Sequence, residues 1–155
     1  MFLSFDRPED RPYTLKWLST QIIAGYIVII PAIVLFVKTG YSSLIFIPVL
    51  INGIGDGLAE PVGIRFGKHK YKTKALFSKR EYVRSLEGSS CVFIASIVIL
   101  FLFQSSFSFI EFIWALILLP FAMTIAEAFS PHTWDTPFLF LTGYMVLYFI
   151  KSIPF

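Results

Sequence analysis

Apolar residues in this chain gather in long runs broken by short polar stretches. A helix needs roughly 20 apolar residues to cross a bilayer, and the runs predict five such spans. They cover about Ser19–Val37, Ser43–Gly63, Ser89–Phe107 and Ile110–Phe129, with a fifth that follows the break Ser130–Pro137 and ends near Ile150. Pro31 and Pro120 fall inside the first and fourth runs and predict kinks there. Lys38-Thr39-Gly40 ends the first run, and Pro61 with Gly63 should loosen the second where it leaves the membrane. Residues 1–18 are polar and carry Pro8 and Pro12, which oppose a continuous helix. No internal repeat or low-complexity tract is present.

Composition turns this pattern into a fold class. Of 155 residues, 56% are hydrophobic, 18% aromatic and only 15% charged, and the mean hydropathy is +0.74. A small soluble fold must cover itself with more charge than this. The chain therefore reads as an all-α integral membrane protein. A polar cytoplasmic segment, 1–18, precedes a single transmembrane domain, 19–155, with a cytoplasmic loop over 64–88. The formal charge of +3 is no argument for a nucleic-acid polymer, since lysine and arginine also set topology. Cys91 is the single cysteine, so no internal disulfide forms, and its place in an apolar run suits packing. Charged residues throughout the first eighteen positions argue against a cleaved signal.

Orientation follows from where the cations lie. Arg65, Lys68, Lys70, Lys72, Lys74, Lys79, Arg80 and Arg84 all fall between the second and third runs. The next loops hold few or none, apart from Lys38. The basic loop should be cytoplasmic, with the N-terminus inside and the C-terminus outside. Alternation then brings three polar clusters to one membrane face: Asn52–Glu60, Arg84–Gly88 and Glu127–Asp135.

Those clusters hold the candidate chemistry. Asn52, Asp56 and Glu60 recur every four residues, which aligns them on one helical stripe. A carboxylate at membrane depth costs about 2.5–3.5 kcal/mol on insertion scales, so it usually faces a cavity, a partner or an ion. Carboxylates with an amide are hard oxygen ligands that suit magnesium shared with phosphate. The metal candidates are Asp56, Glu60 and Glu87. Gly55 and Gly57 leave room for a ligand near the backbone; the plainer alternative is small-residue helix packing. The cations Arg65, Lys68, His69, Lys70 and Arg84 are candidates for polyphosphate, and the plainer alternative for the loop is a topology signal or attraction to anionic lipid. Glu87-Gly88 opens the third run, where an acid also compensates the helix dipole. Glu127 and Asp135 are the candidate catalytic carboxylates beside Asp56, with capping of the fifth helix the alternative for Asp135. His132 is a lone loop histidine, and Glu111 belongs to the opposite face. No Walker loop, dinucleotide fingerprint, Ser-His-Asp set or zinc motif is present.

Taken together, G-D-G-L-A at 55–59, R-F-G-K-H-K at 65–70, S-L-E-G-S at 85–89 and A-E-A-F at 126–129 with Asp135 resemble the signature of the CTP-dependent polyprenol and lipid kinases. That family includes dolichol kinase, phytol kinase and the yeast-type diacylglycerol kinase, and it is distantly similar to phosphatidate cytidylyltransferases. The chain departs from the pattern in having Trp134 and Thr136 around Asp135 and fewer spans ahead of Asp56. The resemblance implies phosphoryl transfer from CTP to a membrane lipid alcohol at the cytoplasmic face. In that reading Asp56 holds magnesium, helped by Glu60, Glu87 or Asn52. Arg65, Lys68, Lys70 and Arg84 neutralise phosphate, and either Asp135 or Glu127 takes the hydroxyl proton or holds a second metal. The implied partners are the lipid and CTP; a homo-oligomer is compatible with such a chain. A cytidylyltransferase acting on phosphatidate is the nearest alternative. An ion-coupled transporter or a non-catalytic membrane subunit is the alternative from another class.

Overall fold

The computed structural model describes residues 12–74, 81–130 and 134–154. Predictions that fall on Arg7, Arg11, Lys79, Arg80, Pro131 and His132 lie outside them. Helix α1 covers Thr14–Lys38, beginning ahead of the apolar run. Gly40 follows it at φ 81°, a left-handed conformation that glycine adopts without strain. The second rod is a composite over Ser42–Phe66. It joins a 3₁₀ turn Ser42–Ile45, α2 Phe46–Leu50, a π turn Ile51–Asp56 and α3 Gly57–Phe66. Strands β1 Lys70–Lys74 and β2 Glu81–Ser85 pair antiparallel. Helices α4 Leu86–Leu102, α5 Phe109–Phe129 and α6 Asp135–Ser152 complete the chain.

Two expectations change. The second rod does not loosen at Pro61 and Gly63, because α3 runs through both to Phe66. It departs from α geometry earlier, at Ile51–Asp56, where Gly53 and Gly55 weaken the α preference and let the backbone widen to i→i+5 bonding. The basic loop also contains a β ribbon instead of plain loop. The membrane-length elements are all helical.

Contacts fix how the rods run. Tyr144 donates to the Ile45 carbonyl at 3.0 Å and Gly143 sits against Pro48, so α6 is antiparallel to the composite rod. Gly88 lies on the Ala59 carbonyl and Gly55 on the Val92 backbone, which sets α4 antiparallel to α3. Ser89 meets Glu127 near one end of α4 and α5, and Lys151 meets Glu111 at the far end of α5 and α6. These four rods close around a core that includes Ile47, Ile51, Val92, Leu119, Met123 and Leu147. Helix α1 lies outside, parallel to α6, with Gln21 on Asp135 and Phe36 edge-on to Tyr144 at 5.5 Å.

Three of these rods are long and apolar enough to cross a membrane by length and composition: α1, the composite rod and α5. Helix α4 has 17 residues, about 26 Å at 1.5 Å each, just short of a roughly 30 Å hydrocarbon layer. Helix α6 is diluted by Asp135 and Lys151 at its ends. Exposed large apolar residues run the length of α1 from Leu15 to Val37. A soluble surface rarely carries so extensive an apolar face.

The closest helix contact rests on small residues every fourth position: Gly55, Ala59, Gly63 and Gly67. A Cβ on Gly88 would stand 2.7 Å from the Ala59 oxygen, a backbone atom that cannot swing aside. Gly57 has nothing within 4 Å of such a Cβ. Gly88→Ala should therefore cost about 1–3 kcal/mol by overpacking. Gly57→Ala should be neutral or gain up to about 1 kcal/mol of helix propensity. Unfolding of the two variants in detergent micelles compares them directly, and equal stabilities would contradict the packing described.

Candidate functional site

The candidate carboxylates lie in the half of the bundle from which the β hairpin emerges. The antiparallel contacts place the C-terminal half of the composite rod, the first turn of α4, the last turn of α5 and the first turn of α6 together there. Glu111 pairs with Lys151 at 2.7 Å, at the opposite end.

The hairpin is tied to the bundle through a buried polar network. Residues facing one another across an antiparallel pair share a face, so Tyr71 and Arg84, which pair in register, point the same way. Arg84 Nη1 donates to Glu127 Oε1, and Nη2 reaches Ser130 Oγ at 3.4 Å. Ser89 Oγ donates to the other Glu127 oxygen at 2.9 Å. That uses the serine's single proton, so Tyr71 must be the donor in its 2.6 Å contact with Ser89. Burial pushes the Tyr71 hydroxyl above its ordinary value, which keeps it protonated for this role. Glu127 is 3% exposed and Arg84 15%. Each satisfies the other's buried charge.

The structure thus pairs two of the candidate residues with each other: Arg84 is held by Glu127, and Glu127 by Arg84 and Ser89. Glu87 is likewise paired with another candidate, His69. It accepts from the His69 backbone at 3.2 and 3.3 Å and meets His69 Nδ1 at 2.8 Å. Glu87 and His69 thus hold the start of the hairpin to α4, where Ser85 caps the helix by accepting from the Gly88 amide at 3.1 Å. Gly55 and Gly88 are buried against backbone of the neighbouring helix, so their missing side chains serve packing. Gly57 remains open. Among the described residues no group of three histidine, cysteine or acidic side chains could hold a metal ion, so Asp56, Glu60 and Glu87 do not form a three-carboxylate centre.

Asn52 and Asp56 are half-buried on the π turn, and Glu60 is exposed one turn further on. Asn52 Oδ1 is buried with no hydrogen-bond partner, and so is Trp134 Nε1. An unmet buried acceptor or donor costs about 1–3 kcal/mol, and such groups are met by an ordered water, an ion or a ligand. Trp134 directly precedes Asp135, whose Oδ1 accepts from the Thr136 amide at 2.9 Å and from Gln21 Nε2 at 3.1 Å. Gln21 also donates to Thr136 Oγ1 at 3.1 Å. Arg65, Lys68 and Lys70 are exposed, and Arg65 stands over the Phe66 ring at 5.5 Å.

Sequence reasoning passed over Gln21, Tyr71, Ser89, Ser130 and Trp134. Gln21 carried a signal, as an amide inside an apolar run; Tyr71 and Ser89 carried none, because the contacts that engage them join separate elements. Comparison of the chain with protein-family models, with curated proteins and with solved structures gave no match.

Proposed function

We propose that the hairpin end of this bundle is the active end of a membrane lipid-alcohol kinase that uses CTP. The observation that carries the reading is Asn52 Oδ1, an acceptor buried without a donor beside Asp56 on a widened turn. The motifs at 55–59, 65–70 and 85–89 give the reading its chemistry by resemblance.

Asn52 Oδ1 and the Asp56 carboxylate suit a magnesium ion, which asks for one or two protein oxygens and completes its shell with water and phosphate. When bound, the ion supplies neutralisation of phosphate charge. Arg65 and Lys68, which follow α3 out of the bundle, take the remaining phosphate charge. The lipid hydroxyl oxygen attacks the terminal phosphorus of CTP, the bond to the bridging oxygen breaks, and CDP leaves. Asp135 receives the hydroxyl proton, and its carboxylate is oriented for this by Gln21 and the Thr136 amide. Trp134 Nε1 offers a donor to an incoming oxygen. Most of the catalytic effect in such a reaction is positioning and charge stabilisation.

In this reading α4 and α6 also lie within the bilayer, giving five spans, because they pack side by side with the three longer rods. The density of cations around the hairpin supports a cytoplasmic position for this end in the same reading. The purified chain, given γ-labelled CTP and a panel of isoprenoid alcohols and diacylglycerol, should place label in the lipid extract and release CDP. Asp135→Asn should remove that label in a protein that still folds. Release of pyrophosphate, or an unlabelled lipid extract with every acceptor, would overturn the assignment.

A further inference from the structure

The two faces of the β hairpin do different things. Tyr71 and Arg84 turn inward to Ser89 and Glu127. Strand residues alternate sides, so the register Lys70↔Ser85 and Lys72↔Val83 places these four on the other face, where Ser85 is buried at the helix end. Lys70 and Lys72 are exposed, and Val83, opposite Lys72, is 62% exposed. The register sets Val83 opposite Lys72 and diagonal to Lys70, so this face combines apolar and cationic side chains. Ile64, Phe66 and Leu86 at the adjoining helix ends are exposed as well.

We propose that this outer face is a docking surface for anionic lipid headgroups of the leaflet at the hairpin end. Val83 enters the headgroup layer, and Lys70 and Lys72 contact the lipid phosphates. The charges are complementary, and large apolar side chains at the same end of the bundle are exposed beside them in the chain. Strands that present an inward pair to Glu127 and an outward pair to lipid hold the hairpin level at the interface. The inference does not rest on the kinase reading. It removes Lys70 from the groups that would meet a nucleotide and gives the ribbon a second partner.

The test is retention of labelled phosphatidylglycerol against phosphatidylcholine by the full chain in detergent micelles. The wild type should prefer phosphatidylglycerol. Lys70→Gln with Lys72→Gln should weaken that preference about 25-fold, taking about fivefold for each lysine near an anionic surface. Val83→Ser should weaken retention of phosphatidylglycerol severalfold. Lys38→Gln, at the opposite end of the bundle, should change nothing. Unfolding in micelles shows that each variant is intact, since neither lysine is part of the core. Undiminished phosphatidylglycerol retention by the double lysine variant would overturn the proposal. So would loss of CTP binding in that variant with lipid retention intact.

Discussion

Glu127→Ala is expected to destabilise the protein by about 3–5 kcal/mol, the cost of removing one partner from a buried ion pair. Arg84 would be left 15% exposed with only the 3.4 Å contact to Ser130, and Ser89 would lose its acceptor. The hairpin should detach first, because Tyr71 and Arg84 are its inward anchors. Arg84→Met combined with Glu127→Met should recover much of the loss, since no charge is then stranded and apolar replacements of buried pairs are often neutral or better. Chemical unfolding in micelles measures all three proteins. A loss below about 1 kcal/mol for Glu127→Ala would mean the pair is open to water.

The second large effect falls on activity. Asp56→Asn keeps the size of the side chain and removes its charge, and it should lower lipid phosphorylation by about 10²–10³-fold, the scale of losing one preorganised electrostatic group. Helix content and unfolding should stay close to wild type, because Asp56 is only half-buried and lies outside the apolar core. Undiminished activity would remove Asp56 from the mechanism.

Run length and hydropathy located the helices, because a membrane span is specified by composition over many residues. The ends of the runs were less legible. Helix α4 starts at Leu86, ahead of the apolar run, since its N-terminus is set by the Ser85 cap. The ribbon could have been read from Lys70-Tyr71-Lys72-Thr73-Lys74, whose alternation has the period of a strand. Its cations drew attention to charge instead. The stripe Gly55, Ala59, Gly63 and Gly67 was likewise present as a small residue every fourth position. Which glycines pack and which stay open depends on the position of α4. The ion pair was out of reach for a different reason. Arg84 and Glu127 are 43 residues apart, and nothing local says that two opposite charges at one end of a bundle will neutralise each other. A carboxylate chosen from sequence as a catalyst can equally be the counterion of an arginine chosen from sequence as a phosphate ligand.

The most direct measurement is equilibrium binding of CTP to the purified protein with and without magnesium, alongside Asp56→Asn. The account predicts saturable binding that needs magnesium and weakens at least about tenfold in the variant. Binding that ignores both magnesium and Asp56, or no CTP binding at all, would contradict it.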